Sequence, residues 1–124
     1  MGDRANFGVR QGNDIVFLYG HTAGHNMLAT LASALEMVKY HGRLSDESYA
    51  TRILFSQIVG ESWDNGIGWG MSVNRIDDNQ HKVPVVDFRK SEVSLYNEDD
   101  LDNPIVTFGI GGFINRYAKP LASL

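Results

Sequence analysis

Two histidines four residues apart, His21 and His25, stand in the segment Tyr19-Gly-His-Thr-Ala-Gly-His-Asn26, with glycines at 20 and 24. The apolar run Ile15–Tyr19 leads into this segment, and a helical pattern leaves it at Met27. A strand that feeds a helix leaves unpaired backbone N–H groups at the junction, at the positive end of the helix dipole. Glycines let a ligand approach such a backbone closely, and imidazoles add further donors. This chemistry suits a phosphate or carboxylate. The competing reading is a tight turn in which the glycines serve geometry and the histidines cap carbonyls. The segment is not a P-loop, because it lacks the lysine and the Ser or Thr that follow it there. The His–His spacing also suits two metal ligands, but no Glu follows His21 as in zinc proteases. Asp64, Asp78 and His81 compete equally as a third ligand, so neither a metal nor another cofactor is expected.

Other residues extend the anion-binding reading. Arg4 and Arg52 offer bidentate, charge-assisted hydrogen bonds, and Trp63 or Tyr19 offers a ring on which a base can stack. A rival reading makes the protein a small hydrolase or phosphodiesterase, with His21 or His25 as acid–base and Glu61 or Asp64 as partner. No Gly-x-Ser-x-Gly elbow exists to support a serine nucleophile. Asp77-Asp78 and Glu98-Asp99-Asp100 miss the EF-hand spacing and read as solvated turns. A third reading uses these same acids as an exposed face that docks on a host enzyme, with an affinity that salt weakens.

These residues need elements to hold them. Ala5–Arg10 and Ile15–Tyr19 read as two strands joined by the turn residues Gln11-Gly-Asn-Asp14. Leu28, Leu31, Leu35 and Val38 recur at helical spacing behind Asn26, the expected N-cap. A second helix starts at Ser45-Asp-Glu47, buries Tyr49, Ile53, Leu54 and Ile58, and stops at Gly60. Gly60–Gly68 is a loop, Trp69–Asn74 a strand, and Val83–Phe88 with Glu92–Tyr96 a further hairpin. Val106, Ile110, Phe113, Ile114 and Tyr117 return to helical spacing with Thr107 as a possible cap, although Gly109, Gly111 and Gly112 weaken that helix. The order is ββ-αα-βββ-α. It implies a single α+β domain over residues 1–124, with an antiparallel sheet of about five strands and the helical hairpin and C-terminal helix packed on one face.

The chain has 124 residues, 11 Lys plus Arg against 15 Asp plus Glu, and no cysteine. Disulfides and thiolate chemistry are therefore excluded. A net charge of −4 argues against non-specific binding to duplex nucleic acid, which needs a basic face. No apolar run approaches the roughly 20 residues that span a bilayer, and Met1-Gly-Asp-Arg-Ala-Asn6 has no hydrophobic signal region. A cytoplasmic protein is expected.

The opening Met1-Gly-Asp-Arg-Ala-Asn6, the element Leu18-Tyr-Gly-His21 and the pattern Asp46-Glu-Ser-Tyr-Ala-Thr-Arg-Ile53 resemble a group of small uncharacterised proteins of bacteria and their phages. The likeness covers roughly residues 1–97. Thr22 stands where that group usually has tryptophan, so any stacking role must pass to another residue. The resemblance implies that Asp3, Arg4, Asn6, Tyr19, His21 and Arg52 form one structural or binding cluster. A phage setting would suit sequestration of a nucleotide signal. The expectation is a non-enzymatic protein, a homo-oligomer, that takes up a small anionic molecule through Arg4, Tyr19, His21, His25, Asn26, Arg52 and Trp63.

Overall fold

In the computed structural model, which describes residues 2–118, β1 (Ala5–Gln11) and β2 (Asp14–Gly20) form an antiparallel hairpin. Its two-residue turn has Gly12 at a φ of 63°, a left-handed backbone that glycine adopts without steric cost. Helices α1 (Met27–Tyr40) and α2 (Glu47–Val59) follow, then a short 3-10 turn at Gly60–Asp64. Strand β3 (Trp69–Val73) comes next, followed by β4 (Val83–Asp87), β5 (Glu92–Tyr96) and β6 (Val106–Gly109). Helix α3 (Ile110–Tyr117) closes the described chain. Met1 of the opening string and residues 119–124 of the expected domain lie outside the described residues.

The fold is α+β, with six strands in the order β3-β2-β1-β4-β5-β6. Two features differ from expectation. Val106–Gly109 is a strand, so the segment predicted as one helix from Val106 is a strand that turns directly into α3. Thr107 pairs with Ser94 across the sheet and does not cap the helix, which starts behind Gly109 without a side-chain cap. The physical cause is that β5 offers an open edge to a β-branched pair, and Gly109 then releases the chain into the helix. The second difference is a single parallel pairing, Gly8 with Val85 and Val9 with Val86, inside an otherwise antiparallel sheet.

Both sheet faces are covered. On one face, Phe7, Val9, Leu18, Val86 and Val93 pack against Leu31, Leu35, Leu54, Ile58 and Phe113 from the three helices. Helix α1 lies in the middle and touches both α2 and α3. On the other face, Ile15, Phe17, Val83, Val85 and Tyr96 form a smaller cluster, covered by Ile76 and Leu101 from two loops. Residues 83–86 of the central strand β4 are all buried, as a strand covered on both faces requires. Pro84 precedes the two residues that pair with β1, where its missing N–H leaves the parallel ladder intact.

The helix stripes hold with one correction. Leu31, Leu35 and Val38 are buried in α1, and Ile53, Leu54 and Ile58 in α2. Tyr49, expected in the core, is 54% exposed, and its ring lies under the Arg43 guanidinium, 4.6 Å from ring centre to Cζ. Ala50, the next residue, fills the buried position, because the Asp46 cap sets the rotation of the first turn. No helix among the described residues is long and apolar enough to cross a membrane.

Candidate functional site

The junction after Tyr19 is a closed corner. The His21 amide donates to Gly68 O at 2.9 Å, Ala23 to Gly20 O at 3.5 Å, Gly24 to Asp3 O at 2.8 Å and Met27 to Gly24 O at 3.2 Å. Four of the junction's amides, those of His21, Ala23, Gly24 and Met27, are thus committed to carbonyls of the chain itself. Asn26 takes a left-handed backbone (φ 56°, ψ 30°), and its side chain caps nothing. The expected N-cap is corrected here: in that conformation Asn26 serves the turn and not the first-turn amides.

His21 and His25 are both exposed. The Tyr19 hydroxyl lies 3.1 Å from His21 Nδ1, and the His21 ring covers Gly2 so closely that a Cβ there would sit 2.8 Å from its Cε1. His25 makes no side-chain hydrogen bond among the described residues. Neither histidine is in hydrogen-bonding contact with Glu61 or Asp64 among the described residues. The carboxylate that does meet a histidine is Asp3, whose Oδ1 lies 2.5 Å from His81 Nε2. Sequence reasoning named Asp3 and His81 separately and missed the pair. The available signal was Gly24, since any side chain at that position would collide with both partners.

Asn6 explains much of the opening string. It is fully buried, and its Nδ2 donates to Asp77 O and Asp78 O at 3.3 Å and to Asn79 Oδ1 at 3.2 Å. Its Oδ1 accepts from the Asp77 amide at 3.3 Å. The Arg4 amide donates to Gln80 Oε1 at 2.8 Å, Arg4 O accepts from the Gln80 amide at 3.0 Å, and the Arg4 side chain makes a loose ion pair with Asp78 at 4.0 Å. The start of β1 therefore staples the 77–80 loop over the smaller core. Asp3, Arg4, Asn6, Tyr19 and His21 lie at this one end of the sheet, but Arg52 lies elsewhere, on α2.

Arg52 and Trp63 line a different feature, a cleft of about 630 Å³ between α2 and the helix-facing side of β2 and β3. Its floor is apolar, made by Val16, Leu18, Phe55, Val59 and Met71, and Gln11, Ser48, Thr51 and Ser56 add polar groups to its walls. The cleft forms because α2 covers β1 and β2 but leaves β3 bare, so Met71 and Val73 stay 61% and 59% exposed. Trp63 stands on the 3-10 turn after α2 and is 76% exposed. Two polar wall groups are already satisfied: Gln11 Nε2 donates to Thr51 Oγ1 at 2.9 Å, and Thr51 Oγ1 donates to Glu47 O. Arg52 is the one charged side chain lining this cleft, and no ion-pair partner meets it among the described residues.

Other hollows are more polar. One of about 490 Å³ lies beside the β4–β5 turn, where Arg10, Arg89 and Lys90 face Glu47, Asp87 and Glu92. There Glu47 Oε2 sits 3.2 Å from Arg89 Nε but outside hydrogen-bonding geometry, so the contact is an undirected ion pair. Asp77, Asp78 and Glu98 share a hollow with Arg4 and Arg75, so the two acidic loops do meet, interleaved with cations. No group of His, Asp and Glu among the described residues is arranged to hold a metal ion. No protein-family model matches the chain, and no curated protein or solved structure matches it either.

Proposed function

We propose that the protein is a non-enzymatic binding protein that takes up a small anionic molecule bearing a flat ring, of the nucleotide class, in the cleft between α2 and β3. One observation carries the reading: Arg52, without an ion-pair partner among the described residues, stands over an apolar floor that ends at the exposed indole of Trp63. The guanidinium supplies a bidentate anchor for phosphate or carboxylate, and the indole and Met71 supply a surface for the ring. The volume falls in the range of small-molecule sites, about 300–1,000 Å³. In this reading the anion expected at His21, His25 and Asn26 moves to Arg52, because four of the junction's amides already donate to carbonyls of the chain. Arg4 and Tyr19 serve the loop staple and the corner. The protein acts in the cytoplasm and associates into a homo-oligomer. The likeness of its opening string to phage proteins makes sequestration of a nucleotide signal the suggested role.

Titration of the purified protein with mono-, di- and cyclic dinucleotides, followed by tryptophan fluorescence and calorimetry, tests the proposal. A quench that disappears in Trp63→Phe, with the ligand recovered unchanged after heat denaturation, is the expected result. A full panel left free in solution sinks it, and so does recovery of a cleaved product. A second reading draws on the meeting of the two acidic loops, where Asp77, Asp78 and Glu98 would dock on a basic patch of a host protein. It predicts binding that falls steeply with salt.

A further inference from the structure

Strand β3 is an edge strand whose hydrogen-bonding pattern is fixed by its neighbour. His21 N donates to Gly68 O, and Asn74 N donates to Ile15 O, both in register with the β2–β3 ladder. Hydrogen-bonded and non-bonded pairs alternate in an antiparallel ladder. Residues 68, 70, 72 and 74 therefore turn their N–H and C=O groups toward β2. Trp69, Met71 and Val73 turn theirs outward, where no strand meets them among the described residues. The same three residues place apolar side chains on the helix-facing side, and the strand carries no charge and no proline. A flat apolar edge of this kind is a template for pairing unless it is blocked. The other edge, β6, places the Phe108 side chain against Phe113 and Tyr117 of α3.

We infer that β3 pairs antiparallel with β3 of a second copy of this chain, centred on Met71. The inference develops the association named above and is independent of what the cleft binds. The outward groups are symmetric about Met71, so a two-fold axis sets Met71 against the partner's Met71 and Trp69 against the partner's Val73. Roughly six backbone hydrogen bonds result from these pairs. The ends of the strand differ in charge, with acids alone before it and Arg75, among Asp77, Asp78 and Glu98, after it. Glu61 and Asp64 precede β3, Arg75 follows it, and none has an ion-pair partner among the described residues. Antiparallel pairing brings each Arg75 toward the partner's Asp64, whereas a parallel pairing would bring like charges together. The axis runs normal to the sheet, so both α2 helices lie on the same face. The two clefts then open toward each other and share the Met71 pair as a common floor, which completes each cleft on its bare side.

Light scattering on size-exclusion eluates, together with sedimentation equilibrium of the full chain, tests the inference. The expected mass is twice that of the chain. Met71→Pro removes an outward donor and leaves the β2 ladder intact, so it should give a monomer with an unchanged circular-dichroism spectrum. If that variant does not fold, Met71→Lys decides, because it sets two ammonium groups together at the axis. Arg75→Glu should weaken association by about tenfold or more, and Asp64→Lys combined with Arg75→Glu should restore it. A wild-type monomer at all concentrations overturns the inference. A dimer that survives in the folded Met71 variant, or a charge swap without restoration, overturns it as well.

Discussion

Replacing Asn6 by aspartate changes a single side-chain atom of consequence, from a donating NH₂ to an oxygen. In the native protein that nitrogen faces three oxygens, Asp77 O, Asp78 O and Asn79 Oδ1, at 3.2–3.3 Å inside a fully buried site. The variant keeps the volume, so no cavity term enters. The stretched bonds contribute about half of the usual 1 kcal/mol apiece, about 1.5 kcal/mol together. The larger effect is a carboxylate set among acceptors. Leaving a buried charge uncompensated costs about 3–5 kcal/mol, and uptake of a proton relieves part of it. A net loss of about 3 kcal/mol is expected. For a domain of this size, at roughly 4 °C per kcal/mol, the melting midpoint should fall by about 12 °C. Thermal and urea denaturation followed by circular dichroism measure it directly. A shift below about 2 °C would refute the claim that Asn6 anchors the 77–80 loop through directed hydrogen bonds.

Truncation of Leu54, which is fully buried, to alanine should cost about 2–5 kcal/mol by chemical denaturation. Gly20→Ala should destabilise by about 1–3 kcal/mol, because the new Cβ would collide with Ala23 Cβ and lie 2.7 Å from the Trp69 ring, and calorimetry should record the lower midpoint. Asp46→Ala removes the acceptor for the Tyr49 amide and the Arg43 pair at 3.1 Å, for an expected loss of about 1 kcal/mol. Arg52→Ala should leave the melting temperature within about 2 °C of wild type yet weaken nucleotide binding by roughly tenfold or more, read by calorimetric titration.

The regular elements were legible wherever local chemistry and tertiary packing agreed. Gly12 between alternating strands announced the first hairpin, and the Leu31, Leu35 and Val38 spacing announced α1. Asp46 ahead of Glu47 marked the start of α2. Legibility failed where two patterns shared the same residues. Val106 and Ile110 fit a helical stripe, yet Val106 belongs to β6, and only the open edge of β5 decides between them. The parallel pairing of β1 with β4 leaves no local trace, because its partners lie in opposite thirds of the chain. Asn26 reads as a cap by type, but it is held left-handed by a turn whose amides are bonded to Asp3, Gly20 and Gly24 carbonyls. For the candidate cleft, residue type was enough to name Arg52 and Trp63 as candidates. Their shared cleft follows from a strand that α2 leaves uncovered, which no spacing rule encodes. The Asp3–His81 pair was missed for the same reason.

The short parallel seam of Gly8 and Val9 with Val85 and Val86 has a kinetic consequence. The β1–β2 hairpin and the β4–β5–β6 meander each close through near neighbours in the chain, whereas the seam must bring its first and last thirds together. The entropic penalty for that closure precedes any reward from the large core. The two halves should therefore form early as separate nuclei and zip along this line late, which makes the slow step of folding a meeting of preformed halves.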